Sequence, residues 1–131
     1  MAYFVGVLLA LAVGVFGTFV GFDRHRAFYP TVLIVVASYY GLFAVMGGSM
    51  RALLIEAAIV LLFVFCAVLG FKFGLWMVVG GLFLHGLFDC LHGELVQNPG
   101  VPAWWPMFCF AYDVTAAAYL AWLLRRSGIK S

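Results

Sequence analysis

Long apolar stretches, separated by short polar breaks, make up almost the whole chain. A helix rises about 1.5 Å per residue, so roughly 20 apolar residues are enough to cross the hydrocarbon core of a bilayer. Five stretches of this length predict membrane-spanning helices, with approximate bounds Tyr3–Phe22, Phe28–Met46, Ala52–Phe71, Phe73–His92 and Trp104–Leu124. The pattern therefore predicts an all-α membrane protein whose five transmembrane helices form a single domain over residues 1–131.

The composition identifies the lipid bilayer as the solvent of this chain. Hydrophobic residues make up 67% of the sequence and charged residues 9%, and the mean hydropathy is +1.17. These values lie outside the range of soluble globular proteins. The net charge of +2 is spread over the connections and the C-terminal tail without forming a basic stripe, so we expect no nucleic-acid partner. The three cysteines form no CxxC pair, and we expect them to be free thiols.

Positive charge is distributed unevenly over the polar breaks. If the N-terminus is outside, the outer connections hold only Arg51. The cytoplasmic side then collects Arg24, Arg26, Lys72, Arg125, Arg126 and Lys130. Because cytoplasmic flanks retain positive charge during insertion, we expect a multi-pass cell-membrane protein with its N-terminus outside and its C-terminus in the cytoplasm.

Small residues recur along the first predicted helix and indicate close packing against another backbone. Gly17 and Gly21 form a GxxxG pair, a motif that lets two membrane helices approach closely. Two hypotheses follow from it. Helix 1 packs inside its own bundle, or it mediates self-association or contact with other membrane subunits.

Ionisable residues inside the predicted spans fall on two helix faces. On helix 4, His85, Asp89 and His92 stand at i, i+4 and i+7 and therefore share one face. On helix 5, Cys109 and Asp113 share a face in the same way. Counted from the ends of antiparallel helices, His85 and Asp113 reach a similar depth, so the two faces are expected to meet in the outer half of the membrane.

Two hypotheses account for this group of side chains. In the first, His85, Asp89, His92 and Cys109 bind a divalent metal, because imidazole, carboxylate and thiolate are the donors that Zn, Fe and Cu prefer. Asp113 would then act as a catalytic general base towards a water molecule on the metal, in a hydrolytic or redox reaction.

In the second hypothesis the same side chains hydrogen-bond one another and hold helices 4 and 5 together, as polar groups do where water is absent. Glu56, near the start of helix 3, is a further carboxylate that could reach the group. The hydroxyls of Tyr39 and Tyr40 on helix 2 could also reach it, or both rings could serve only in packing. A non-catalytic accessory subunit of a larger membrane complex, or a small oligomeric carrier, is the functional alternative to a metal site.

The segment from Leu84 to Trp122 resembles a family of small bacterial integral membrane proteins of unknown function. The elements that carry the resemblance are His85-Gly86, Asp89, His92, the Asn98-Pro99 turn, Pro102, Pro106, Cys109 and Asp113. Phe88 and Gly93 stand where that family has a Trp and a second His. The resemblance implies a bacterial inner-membrane protein with a polar motif shared by helices 4 and 5, and it implies no activity.

Overall fold

The computed structural model describes residues 2–22, 25, 27–95 and 100–126, with the side chains of 93–95 left out of the description. Within these residues the fold is all-helical and contains no strand. Its five helices are α1 (Ala2–Val20), α2 (Phe28–Met46), α3 (Met50–Phe73), α4 (Trp76–Leu95) and α5 (Trp105–Arg125). The predicted number of helices is confirmed for this part of the chain. Arg24, Arg26, Lys130 and the Asn98-Pro99 turn of the sequence analysis lie outside it.

Four of the five helices are long and apolar enough to cross a membrane, which is consistent with a multi-pass membrane protein. They are α1, α2, α3 and α5, whereas the apolar stretch of α4 covers only the 17 residues Trp76–His92. Large apolar side chains face outwards over the surface, including Phe19, which is 91% exposed. In water such a surface would be unfavourable, but hydrocarbon solvates it.

The helix ends follow from local chemistry that the hydropathy pattern does not contain. The bounds of α2 match the prediction, and Gly48, with φ of 70°, follows its end. The α3 helix begins two residues earlier than predicted, because the Ser49 side chain accepts a hydrogen bond from Ala52 N at 3.1 Å and caps it. It also continues through Lys72, which lies between the predicted helices 3 and 4, and the break falls at Gly74. A cation in the last turn of a helix is favourable because it lies near the negative end of the helix dipole.

The small-residue face of α1 packs inside the bundle. A Cβ atom on Gly6 would overlap the carbonyl oxygen of Phe108 on α5, and one on Gly14 would lie 3.0 Å from the Tyr119 ring. Gly17 faces Phe28 of the same chain. Gly21 lies beyond the end of α1 with φ of 99°, a backbone conformation that favours glycine, so it does not continue the helix face of Gly17. The intramolecular hypothesis therefore accounts for Gly6, Gly14 and Gly17, and self-association remains a prediction.

The remaining helices surround α4. Its neighbours are α5 on one side and α3 on the other, while α2 packs against α3 and also reaches α4 and α5. Gly86 permits the close approach of α4 and α5, since a Cβ atom there would lie only 3.1 Å from Val114 Cγ2 on α5. One buried stripe runs along α4 towards its neighbours, with the spacing of alternate three- and four-residue steps that keeps side chains on one face. This stripe, which we call the α4 stripe, begins at Leu75 just before the helix and continues through Val78, Leu82, His85, Asp89 and His92.

Candidate functional site

Six buried polar side chains from four helices form one group, which we call the polar cluster. Each of its members has a relative exposure of 2% or less. They are Tyr40 on α2, Glu56 on α3, His85, Asp89 and His92 on α4, and Asp113 on α5. Ionisable side chains within membrane helices are rare and usually mark a function or a satisfied polar pair, so their partners decide what the cluster can do.

The first part of the polar cluster brings one imidazole and two carboxyl groups together. His85 Nδ1 lies 2.6 Å from Asp113 Oδ2, and its N–H donates to this carboxylate oxygen. Asp89 Oδ2 lies 3.5 Å from the same nitrogen. One ligand atom from each of the three residues falls within 4.8 Å of the other two. The predicted common depth of His85 and Asp113 is therefore confirmed.

The two carboxyl groups of this part each keep an oxygen without a donor. Asp89 Oδ2 and Asp113 Oδ1 are buried, and neither accepts a hydrogen bond from the described residues. The two side chains are also within hydrogen-bonding reach of each other. If both carboxyl groups were ionised, their negative charges would repel strongly at such close range, because the dielectric constant around them is low. A proton or a metal cation between them removes that repulsion.

The second part of the polar cluster is a hydrogen-bonded histidine–glutamate pair stacked against an aromatic ring. His92 Nε2 lies 2.6 Å from Glu56 Oε2, which joins α4 to α3. The Tyr40 ring is stacked on the His92 imidazole, with ring centroids 3.9 Å apart and planes inclined by 12°. The Tyr40 hydroxyl donates to Asp89 Oδ1 at 2.6 Å. Tyr40 therefore connects the two parts.

Aromatic rings surround the polar cluster on the sides facing α3 and α4. Phe63 packs edge-on against the His85 ring with centroids 4.7 Å apart, and Phe88 lies edge-on to Tyr40 at 5.6 Å. Such rings exclude water and leave few local hydrogen-bonding partners. The carboxyl groups therefore depend on one another, on the imidazoles and on Tyr40.

The structure regroups the side chains that the sequence singled out. Of the four predicted metal ligands, His85 and Asp89 lie together, and Asp113, predicted as a general base, lies with them. His92 is held by Glu56, so the additional carboxylate reaches the cluster through His92. Cys109 is buried within electrostatic range of Asp89 and Asp113 but does not belong to the group formed by His85, Asp89 and Asp113.

Tyr40 is the member that sequence patterns defined least well. Its aromatic ring suits ordinary helix packing, and its hydroxyl gives no spacing signal. The sequence offers Tyr39 and Tyr40 as equal candidates. The Tyr39 ring packs against Trp105, with ring centroids 5.2 Å apart, and Tyr40 reaches Asp89. Only the rotation of α2 about its axis decides which of the two hydroxyl groups faces α4.

No protein-family model, no curated protein and no solved structure matches this chain. The resemblance to small bacterial membrane proteins stays a prediction. The geometry of the polar cluster is therefore the basis for a functional assignment.

Proposed function

We propose that this chain is a multi-pass membrane protein that binds one divalent transition-metal ion through His85, Asp89 and Asp113. The observation that carries the proposal is the convergence of two buried carboxyl groups and an imidazole, with two carboxylate oxygens that accept no hydrogen bond. A divalent cation neutralises both carboxylates at once, and nitrogen and oxygen donors of this kind suit Zn²⁺ and Fe²⁺.

The other residues of the polar cluster would support the ligands. The Tyr40 hydroxyl holds Asp89 Oδ1, which leaves Oδ2 directed towards His85. Hydrogen bonds of this kind fix the orientation of ligating side chains and contribute to metal affinity. Asp113 takes the role of a ligand in this proposal, in place of the general base expected from the sequence.

The proposed topology places the N-terminus outside and the cluster in the outer half of the membrane. Its support is the excess of Lys and Arg on one set of connections, six residues against one. A bacterial inner membrane is the proposed location, on the basis of the resemblance described above. A hydrolytic or a redox reaction at the metal is compatible with the donor set.

Metal analysis of the purified protein tests this proposal. Wild-type protein extracted in a mild detergent and incubated with Zn²⁺ or Fe²⁺ should retain about one ion per chain after desalting. Asp113→Asn, which keeps the shape of the side chain and removes a charge, should lower the affinity by roughly 100-fold or more. The matched control is Cys90→Ser, an exposed position on the same helix, which should bind metal as the wild type does.

A second function is favoured by a specific observation, the three direct hydrogen bonds of 2.6 Å within the polar cluster. These bonds suit an accessory subunit in which the cluster holds four helices together. A wild-type protein that retains no metal, and whose Asp113→Asn variant is only less stable, would overturn the metal proposal in favour of this one.

A further inference from the structure

A series of buried polar side chains leads from one face of the bundle to His85, Asp89 and Asp113, which we call the metal group. The α3 helix begins and the α4 helix ends at this face, because the connection between them is short and the two helices are therefore antiparallel. Measured back from the end of α4 at Leu95, His92 lies about 5 Å deep and His85 about 15 Å deep. An ion that comes from this face therefore meets His92 before the metal group.

Hydrocarbon closes the way from the metal group to the opposite face of the bundle. Below His85 the α4 stripe continues with apolar side chains that are 1% exposed or less, namely Leu82, Val78 and Leu75. On the side of α3, Phe63 packs edge-on against the His85 ring. A cation among such side chains would lose its water without gaining a ligand, which is costly.

The α5 side of the first face is also unfavourable for a cation. Trp105, at the start of α5, packs edge-on against Phe43 with ring centroids 4.7 Å apart. Its indole nitrogen only donates hydrogen bonds, so it offers no lone pair to a metal ion. Cys109, about one turn deeper, is buried, and a thiol becomes a good metal ligand only after it loses its proton.

The α3 side of the same face presents two good ligands. Glu56 Oε2 and His92 Nε2 lie 2.6 Å apart, and both side chains are 2% exposed or less. In the tautomer that carries its proton on Nδ1, the His92 ring directs a lone pair from Nε2 towards the carboxylate. Nitrogen and oxygen are the donors that Zn²⁺ and Fe²⁺ accept. The pair supplies two protein ligands where the metal group supplies three, which suits a brief stop better than storage.

The next donor along the path is Asp89, which lies one helical turn below His92 on the same face of α4. Tyr40 spans this step, because its ring is stacked on His92 and its hydroxyl donates to Asp89 Oδ1. We infer that Glu56 and His92 form a transient outer site for the divalent ion, through which the ion enters and leaves the metal group. This inference rests on the proposed function, since it presupposes that the metal group binds the ion.

The rates of metal exchange test the inference. Zn²⁺ uptake by the protein in mild detergent is followed in a stopped-flow instrument with a fluorescent Zn²⁺ indicator, and release is followed after excess EDTA is added. The double variant Glu56→Leu with His92→Leu removes both partners together and fills the path with hydrocarbon. Uptake and release should both become about 100-fold slower, while their ratio, the Kd, changes far less. Residues on a path alter the barrier and not the two end states.

Three further variants separate the path from the metal group. Glu56→Gln keeps the shape of the side chain and removes its charge, and it should slow uptake by about tenfold even if the double variant folds poorly. Tyr40→Phe, which disturbs a ligand of the metal group, should instead speed release and raise the Kd. Cys90→Ser, at an exposed position of α4, is the matched control and should exchange Zn²⁺ at the wild-type rates.

The possible failures of the two proposals are distinguishable. A wild-type protein that retains no Zn²⁺ after long incubation would overturn the proposed function and the outer site with it. A wild-type protein that retains one ion, with a double variant and a Glu56→Gln variant that exchange it equally fast, would overturn the outer site alone. Slow uptake in Cys109→Ala, with normal uptake in the double variant, would also overturn it and move the path to the α5 side.

Discussion

The two halves of the α4 stripe are buried equally but are stabilised in different ways. Leu75, Val78 and Leu82 pack into an apolar core with residues such as Leu33 and Leu120, and this half needs only complementary shape. The other half consists of His85, Asp89 and His92, which are also no more than 2% exposed. Each of these residues has a polar partner on another helix. His85 and Asp89 are in addition close to each other on α4. In a medium without water, packing is sufficient to stabilise the apolar half, whereas the polar half also needs hydrogen-bonding partners.

This comparison also indicates why the polar half is a candidate site. Apolar packing would hold α4 against α5 along its whole length, as it does from Leu75 to Leu82. Replacing a buried polar group and its partner together by apolar residues is often neutral or stabilising. The polar half is therefore a costly solution to helix packing.

The largest effect is expected from moving a charge into the apolar half. Leu82→Asp removes packing and adds a carboxylate without a built partner, which costs about 3 kcal/mol or more near the middle of a bilayer. We expect the folded, monodisperse fraction in detergent, measured by size-exclusion chromatography, to be lost. Leu82→Met, which conserves volume, should fold like the wild type. If Leu82→Asp and Leu82→Met gave equal folded fractions, the apolar half would tolerate a buried charge and the proposed difference between the two halves would be wrong.

A cavity in the apolar half should have the next largest effect. Leu120→Ala removes a fully buried side chain of this core and should lower the free energy of unfolding by about 2–4 kcal/mol. The measurement is a denaturant titration in detergent followed by circular dichroism. Leu54→Ala on α3, where the side chain is 64% exposed, is the matched control and should be nearly neutral. Loss of metal stoichiometry in Leu120→Ala would mean that the two halves are coupled.

A double substitution in the polar half separates stability from binding. His85→Leu alone deprives Asp113 Oδ2 of its donor and should cost about 1–3 kcal/mol. His85→Leu with Asp113→Leu removes both partners and should recover part of this loss, while metal binding stays absent. Unfolding titrations and metal analysis of the single and double variants provide both values. The single variant Asp113→Leu completes the comparison. If the double variant loses more stability than His85→Leu and Asp113→Leu lose together, the paired geometry is contradicted.

The smallest effect is expected at the link between the two parts of the polar cluster. Tyr40→Phe removes the hydrogen bond to Asp89 and keeps the ring that stacks on His92. Interhelical hydrogen bonds in membrane proteins contribute about 0.6 kcal/mol on average, so the free energy of unfolding should change little. Metal affinity should fall by roughly tenfold, because Asp89 loses the donor that orients it. Tyr39→Phe, measured in the same way, should change neither quantity.

The sequence by itself determined the helices and the faces that carry chemistry. Apolar stretches predicted five helices, four of which are long enough to cross a bilayer, and the i, i+4, i+7 spacing placed His85, Asp89 and His92 on one face of α4. The similar depths of His85 and Asp113 followed from counting residues along antiparallel helices. Local spacing is sufficient for these conclusions, because the helix rise and turn are fixed by the backbone.

Only the tertiary structure decided which side chains meet. Helix rotation about its axis and sliding between neighbours are set by packing over the whole bundle, so a sequence pattern does not specify them. For this reason Glu56 rather than a metal-ligating neighbour is the partner of His92, and Tyr40 rather than Tyr39 reaches Asp89. For the same reason Asp113 lies with His85 and Asp89, while Cys109 lies outside this group of three.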